Sequence, residues 1–377
     1  MSTRIRVSTG LLAAAVAVFA VQAIDIAGQN AVPAGASAQA GTAKPTTAKP
    51  AAGGSAAPRV AAPKATATND KPYKVPRTVD GQPDLQGYWT NATLVPLQRP
   101  QGVTAEFLPR EEFEKRVAQR VAMDEEQTTP GTTCDVHYDF TQFALDKTQS
   151  AIAENYRTSL IVDPPDGRLP PQTPEAQKRV QAAAAARKAA QATQYDRVQN
   201  ISQGSRCIVS GGAGPPLMDA GYNANYQIVQ SKDVVMILTE MIHDARIIPL
   251  DKTRPAPAAG YRNWMGASRG WWEGDTLVVE TTNFNGRQPF QQASTETMKV
   301  TERFTRKSAD QIAYRFTVED PNAWTRPWTA EAILQTIEGP IFEHACHEGN
   351  YGIANTLAGV RLEEKLAAEE AAKKGTK

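Results

Sequence analysis

The sequence predicts a mainly β protein: an antiparallel meander rolled into a barrel or a strongly curved sheet, with helical and irregular additions on its N-terminal side. Three observations carry this. From Asn225 onward, strand-like runs recur about every ten residues with no long helix between them. Ile312, Tyr314, Phe316 and Val318 alternate with Ala313, Arg315, Thr317 and Glu319, which gives one buried and one wet face. Several of the runs are joined by short turn sequences, such as Glu273-Gly274-Asp275 between "SRGWW" and "TLVVETT".

Taken from the start, the chain does not open on fold. Arg4 and Arg6 precede an apolar run from Gly10 to Val21, and small residues follow at Val21-Gln22-Ala23 and Ser37-Ala38-Gln39-Ala40. This is the pattern of a secretory signal peptide, expected over residues 1–40. The apolar run falls short of the roughly 20 residues that a bilayer span needs, so no stable membrane span is expected after signal cleavage. The first cysteine is Cys134 and the two arginines are not adjacent, which argues against a lipoprotein anchor and a twin-arginine signal. Residues 41–70 are Ala, Pro, Lys, Thr and Gly, a composition that buries too little apolar surface to offset chain entropy and reads as a disordered tether. One β-rich domain is expected over residues 71–363, and a charged helical tail over 364–377. The location implied is exported, periplasmic or extracellular.

Within the domain, Gly87 to Leu97 is a short strand candidate. Phe107, Phe113, Val117 and Val121 lie at helical spacing, so a helix is expected over 107–123. "VDPPDGRLPP" cannot be regular, because each proline removes a donor and restricts its neighbour. A second helix is expected over 174–194, rich in Ala, Gln, Lys and Arg and offering little to a core. "YQIVQSKDVVMILTEM" reads as two strands around a Ser-Lys-Asp turn, "MKVTERFTRKSADQIAYRFTVED" as a hairpin, and "WTAEAILQTIEGPIFEHAC" as a last hairpin around Glu338-Gly339-Pro340.

The 41 basic and 40 acidic side chains nearly cancel, and no basic stripe with interleaved aromatics exists, so nucleic acid is a poor partner. Of the three cysteines, Cys207 and Cys346 both sit beside the β-rich half, and an exported protein meets an oxidising environment; a Cys207–Cys346 disulfide with Cys134 free is expected. No CxxC pair, G-x-S-x-G, H-E-x-x-H, phosphate loop or dinucleotide fingerprint is present, and no cofactor is expected.

"SRGWWEGDTLVVETTNF", "VEDPNAWTRPWT" and "HACHEGNY", together with the opening "GQPDLQGYWTN" and the block "VVMILTEMIHDARIIPLD", resemble a family of uncharacterised secreted bacterial proteins over roughly residues 79–363. The resemblance implies export and supplies no activity. His344 stands where such proteins more usually have an aromatic residue. "GYW" at Gly87 to Trp89 is weakly similar to the opening strand of lipocalin-like barrels.

The candidate chemistry centres on "TEMIHDARIIPL", Thr239 to Leu250, where an apolar run meets Glu240, His243, Asp244 and Arg246. If the chain stays extended to Arg246, then Glu240, Asp244 and Arg246 share one face and His243 takes the other. Buried charges there must be paired or must meet water or ligand. An Asp244–Arg246 or Asp244–Arg269 network would pin a strand end; alternatively the end opens into a polar cavity where His243 moves protons. Glu280, inside an apolar strand, needs a partner, with Arg303 or Arg262 as candidates. Trp271 and Trp272 point to opposite faces, one into the core and one available to stack on a ligand; Trp272 is the ligand-binding candidate. "HACHEGN" brings His344, His347 and Glu348 together in sequence, but without the convergence that a metal needs; no metal site is expected. The leading expectation is a small organic ligand, saccharide or aromatic, held in a polar-lined barrel mouth by Arg246, Arg269, Trp272, Glu280 and His347. The alternatives are a cofactor-free hydrolase or lyase, with His243 as general base, Asp244 orienting it and Glu240 or Glu348 as acid, and a structural envelope protein.

Overall fold

In the computed structural model of the chain, residues 73–127, 152–191, 193–209, 214–219, 221, 223–255, 257–258, 260–287, 290–294 and 296–375 are described. The expected signal segment, the tether and Cys134 lie outside them. Ten strands form one antiparallel sheet: β1 (Gly87–Thr90), β2 (Ile161–Asp163), β3 (Asn225–Gln230), β4 (Val234–Thr239), β5 (Ala245–Pro249), β6 (Ala267–Glu273), β7 (Thr276–Thr282), β8 (Lys299–Arg306), β9 (Gln311–Glu319) and β10 (Trp328–Thr336). Among the described residues, three α-helices accompany them: α1 (Arg110–Gln127), α2 (Pro174–Gln191) and α3 (Tyr351–Gly375).

The strand order is β5-β4-β3-β1-β10-β9-β8-β7-β6, with β2 added beside β10. The sheet is therefore two meanders, β3 to β5 and β6 to β10, joined by β1. Trp89 of β1 faces Tyr226 on one side and Thr336 on the other. The sheet curls until its two edge strands, β5 and β6, meet, so the barrel is nearly closed without a backbone ladder at that seam. Side chains close it instead. Arg246 Nε donates to Ser268 Oγ at 3.1 Å. Gly270 lets Ile248 approach so closely that a Cβ there would sit 2.9 Å from its Cγ2.

The alternation of β9 becomes the core as expected. Ile312, Tyr314, Phe316 and Val318 are buried, and they meet Trp328, Ala330, Ala332 and Leu334 of β10 across the ladder. Phe304, Tyr314, Phe316, Trp328 and Trp324 follow one another with ring centroids 4.9 to 5.8 Å apart. The β6–β7 turn is the two-residue one the sequence suggests, with Gly274 at φ +59° as such a turn requires.

Several expected elements shift. β1 stops at Thr90 rather than reaching Leu97. α1 begins after Pro109, whose fixed φ suits a helix start, and runs on to Gln127. α2 begins at Pro174, where Thr173 Oγ1 caps the Ala176 N–H at 3.1 Å, and ends at Gln191 instead of 194. The hairpin around Gly339 does not form. Both sides of β10 are already occupied, by β9 and β1, so a returning strand has no free edge. The chain leaves β10 with Ile337 N–H donating to Tyr88 O at 3.0 Å and lays Gly339 against the Tyr88 ring. The tail helix starts much earlier than 364, at Tyr351, after Gly349 turns the chain with φ +65°.

Candidate functional site

Thr239 to Leu250 is not one extended run. β4 ends at Thr239, Glu240 turns in helical geometry, and Ile242 and His243 take left-handed φ values of 63° and 58° before β5 begins at Ala245. The reversal is held by Thr239 N–H donating to Asp244 O at 2.9 Å and His243 N–H to Glu240 O at 3.0 Å. The face-sharing expected of Glu240, Asp244 and Arg246 is thereby overturned, because the chain folds back between them. Glu240 is fully buried and accepts from Asn223 Nδ2 at 2.6 Å and Asn225 Nδ2 at 2.8 Å. His243 is exposed at the hairpin tip.

Arg246 points into the barrel, and its partner is not the expected Asp244 but Glu302 on β8; neither the Asp244–Arg246 nor the Asp244–Arg269 pair forms. The guanidinium and carboxylate meet side by side: Nη1 donates to Oε1 at 3.1 Å, and Nη2 reaches Oε2. Their side chains are 3% and 0% exposed. The pair is embedded in hydroxyls. Arg246 Nη2 donates to Thr281 Oγ1 at 3.2 Å, Ser268 and Thr281 share a 2.9 Å hydrogen bond, and Tyr314 OH donates to Glu302 Oε1 at 2.9 Å while accepting from Leu217 N–H at 2.8 Å. Burial, and then the adjacent Glu302 charge, push the Tyr314 phenol well above its ordinary pKa, so it stays a donor.

Outside this network the other acid finds its mate across the ladder. Glu280 pairs with Arg269, which stands directly opposite on β6, and not with Arg303 or Arg262: Nε and Nη2 of Arg269 both reach Oε1, at 3.1 and 2.6 Å. Arg269 Nη1 also donates to Arg254 O at 2.6 Å, tying the β5–β6 connection to the strand.

These residues line one cleft of ≈ 560 Å³ at the seam, which includes Asp244, Arg246, Ser268, Arg269 and Glu280. Its other wall is the β5–β6 connection, with Arg254, Tyr261, Asn263 and Trp264. That connection is braced from below: Asn283, at φ 58°, donates its side-chain amide to the carbonyls of Pro257, Ala258 and Tyr261. Tyr261 is 56% exposed on this wall. The Asp244 carboxylate has no hydrogen bond or ion pair among the described residues, and partial burial raises its pKa above the ordinary carboxylate value.

Four residues singled out from sequence thus converge on the cleft: Asp244, Arg246, Arg269 and Glu280. His243, Glu240, Trp272, His347 and Glu348 do not line it. Trp272 packs against the hydrophobic core, so of the two tryptophans it is the inward one; Trp271 lies outside, under Lys252 Nζ at 5.0 Å and donating to Glu273 Oε1 at 2.8 Å. His347 and Glu348 are exposed on the segment before α3. Cys207 and Cys346 form the expected disulfide, with their Cα atoms 5.7 Å apart. It anchors the stretch that carries Ile208, itself part of the cleft wall.

Tyr261, Trp264, Asn263 and Arg254 were not legible as site residues, since "RPAPAAGYRNW" has no periodicity. Glu302 was missed as well, although a signal existed: in "VTERF", Val300, Glu302 and Phe304 share one strand face, so a carboxylate stands on an apolar face. Among the described residues, no three His, Cys, Asp or Glu side chains gather as a metal set, and no helix is long and apolar enough to cross a membrane. No protein-family model matches the chain, and no curated protein matches it.

Proposed function

We propose that this protein binds a small organic ligand, a saccharide or an aromatic compound, in the cleft at the β5–β6 seam, and that it does so after export. One observation carries the reading: the unpartnered Asp244 carboxylate shares a cleft of ≈ 560 Å³ with the exposed Tyr261 ring. Cavities of this size, with an apolar ring surface and a few polar groups, suit small ligands. A hydroxylated or aromatic ring would stack on Tyr261 or Trp264 and give Asp244 a donor, while the Arg269–Glu280 pair offers both signs of charge at the wall. The disulfide supports an oxidising compartment.

A hydrolase or lyase with His243 as general base would need the imidazole at the cleft. No hydrogen bond joins His243 to Asp244 among the described residues, and the ring is exposed at the hairpin tip. The binding reading is therefore favoured. Trp264 supplies a built-in reporter. Titration with a panel of saccharides and aromatic compounds should give a saturable change in tryptophan fluorescence, and Tyr261→Ala and Asp244→Asn should each weaken it about tenfold. A panel member that binds equally well to both variants would place its site elsewhere.

A further inference from the structure

The outer face of the barrel carries a second concavity. A groove of ≈ 420 Å³ runs over β8, β9 and β10 and is lined by four cations, Arg157, Arg303, Lys307 and Arg315, against a single carboxylate, Glu331. Arg303 and Arg315 stand directly opposite each other across the β8–β9 ladder. Like charges in that position repel, because facing Cβ atoms lie about 4.5–5.5 Å apart. The surrounding acids do not cancel the excess. Glu331 is shared between Arg315 at 3.2 Å and Arg157 at 3.3 Å. Glu273 holds Arg303 at 2.7 Å and Glu106 holds Arg157 at 3.1 Å, and neither acid lines the groove. Lys307 is exposed and its ammonium has no partner among the described residues.

Each guanidinium carries five N–H donors in a planar fork. Arg303 spends one on Glu273, and among the described residues Arg315 reaches only Glu331, so both keep donors for a ligand. We propose that this groove binds a tetrahedral dianion, the phosphate group of a small monoester, bridged between Arg303 and Arg315 with Lys307 as a third charge. A dianion there would screen the Arg303–Arg315 repulsion and use the spare forks in the bidentate manner that arginine favours. The remaining floor, Ala313 and Ile333, would take the organic part.

The site shares no residue with the seam cleft, so its test stands or falls separately. Phenyl phosphate and inorganic sulfate are titrated into the full chain by calorimetry near pH 7.5, with ionic strength held constant by chloride. The expected result is saturable binding, weakened about tenfold or more in R303Q/R315Q and unchanged in R326Q, an exposed arginine elsewhere that pairs with Asp163. If far-UV dichroism shows the double variant unfolded, Lys307→Gln, which removes no protein contact, is read instead and should weaken binding severalfold. Flotation with phosphatidic acid vesicles, lost in R303Q/R315Q, would support the same site with a lipid headgroup as the source. Absence of saturation, or equal affinity in R303Q/R315Q and the native chain, leaves an adventitious ion only and overturns the proposal.

Discussion

Replacing Glu302 by Leu should strand a buried cation. The carboxylate accepts from Arg246 through both terminal nitrogens and from Tyr314, and Arg246 and Glu302 are 3% and 0% exposed. Breaking a buried pair by removing one partner costs about 3–5 kcal/mol. Tyr314 also loses its acceptor; the Leu217 N–H it receives does not satisfy its own O–H, and an unpaired buried donor adds about 1–3 kcal/mol. We expect about 4 kcal/mol or more for Glu302→Leu. Arg246→Met should cost a similar amount, since it leaves the acid without its counter-charge. The double variant should cost far less than the sum, about 2 kcal/mol or below, because apolar replacement of a whole pair is often neutral. The local geometry favours this outcome: Ser268 and Thr281 are already hydrogen-bonded to each other at 2.9 Å and keep that bond when the guanidinium goes. Urea unfolding followed by near-UV dichroism reads the result. With a slope of about 3 kcal/mol per molar, Glu302→Leu should lower the midpoint by about 1.3 M or more. Singles that cost under about 1 kcal/mol, or that add without coupling, would refute the view that the barrel centre depends on this pair.

Asp244→Asn should raise the melting temperature at pH 7 and have no such effect near pH 3. The sign follows from burial: the folded carboxyl titrates above its unfolded value, so ionisation opposes folding once pH rises through that window, and the amide removes the penalty. A gain in stability coupled to the loss of ligand binding named above would mark Asp244 as kept for recognition; a loss of stability at pH 7 would contradict its unpartnered placement. Reduction of Cys207–Cys346 frees a loop with a sequence separation of 139 and should cost about 5 kcal/mol in the chain-entropy account, read as a lower urea midpoint in the Cys207→Ser/Cys346→Ser chain. An unchanged midpoint would mean that α3 and the Ile208 segment hold their places without the bridge.

Local pattern was enough for most strands, but not for β2, whose Val162 and Asp163 open the proline-rich stretch read as irregular and are held extended by pairing with β10. Period-two alternation in Ile312 to Val318, the Gly274 turn and the Ser-Lys-Asp turn are decided within a few residues, where backbone geometry and burial of one face leave little choice. The same reading exposed Asp244, Arg246, Arg269 and Glu280 as charges needing partners. It could not say which partners. Arg246 and Glu302 are separated by 56 positions, and only the curl of the sheet brings β5 and β8 within reach through the barrel. Arg269 meets Glu280 because the β6–β7 register sets them opposite, a consequence of the two-residue turn that could have been counted. The last hairpin failed for a non-local reason too: β1, from the far end of the domain, had already taken the edge of β10 that a returning strand would need. His243 lost its cavity because a left-handed turn aims it at solvent, and nothing in "EMIHDA" announces that turn. Periodicity therefore determined most of the strands of the two meanders and which face of them is apolar. Closure of the sheet, which depends on summed twist and on Gly270 admitting Ile248, decided which charges meet and where the cleft opens.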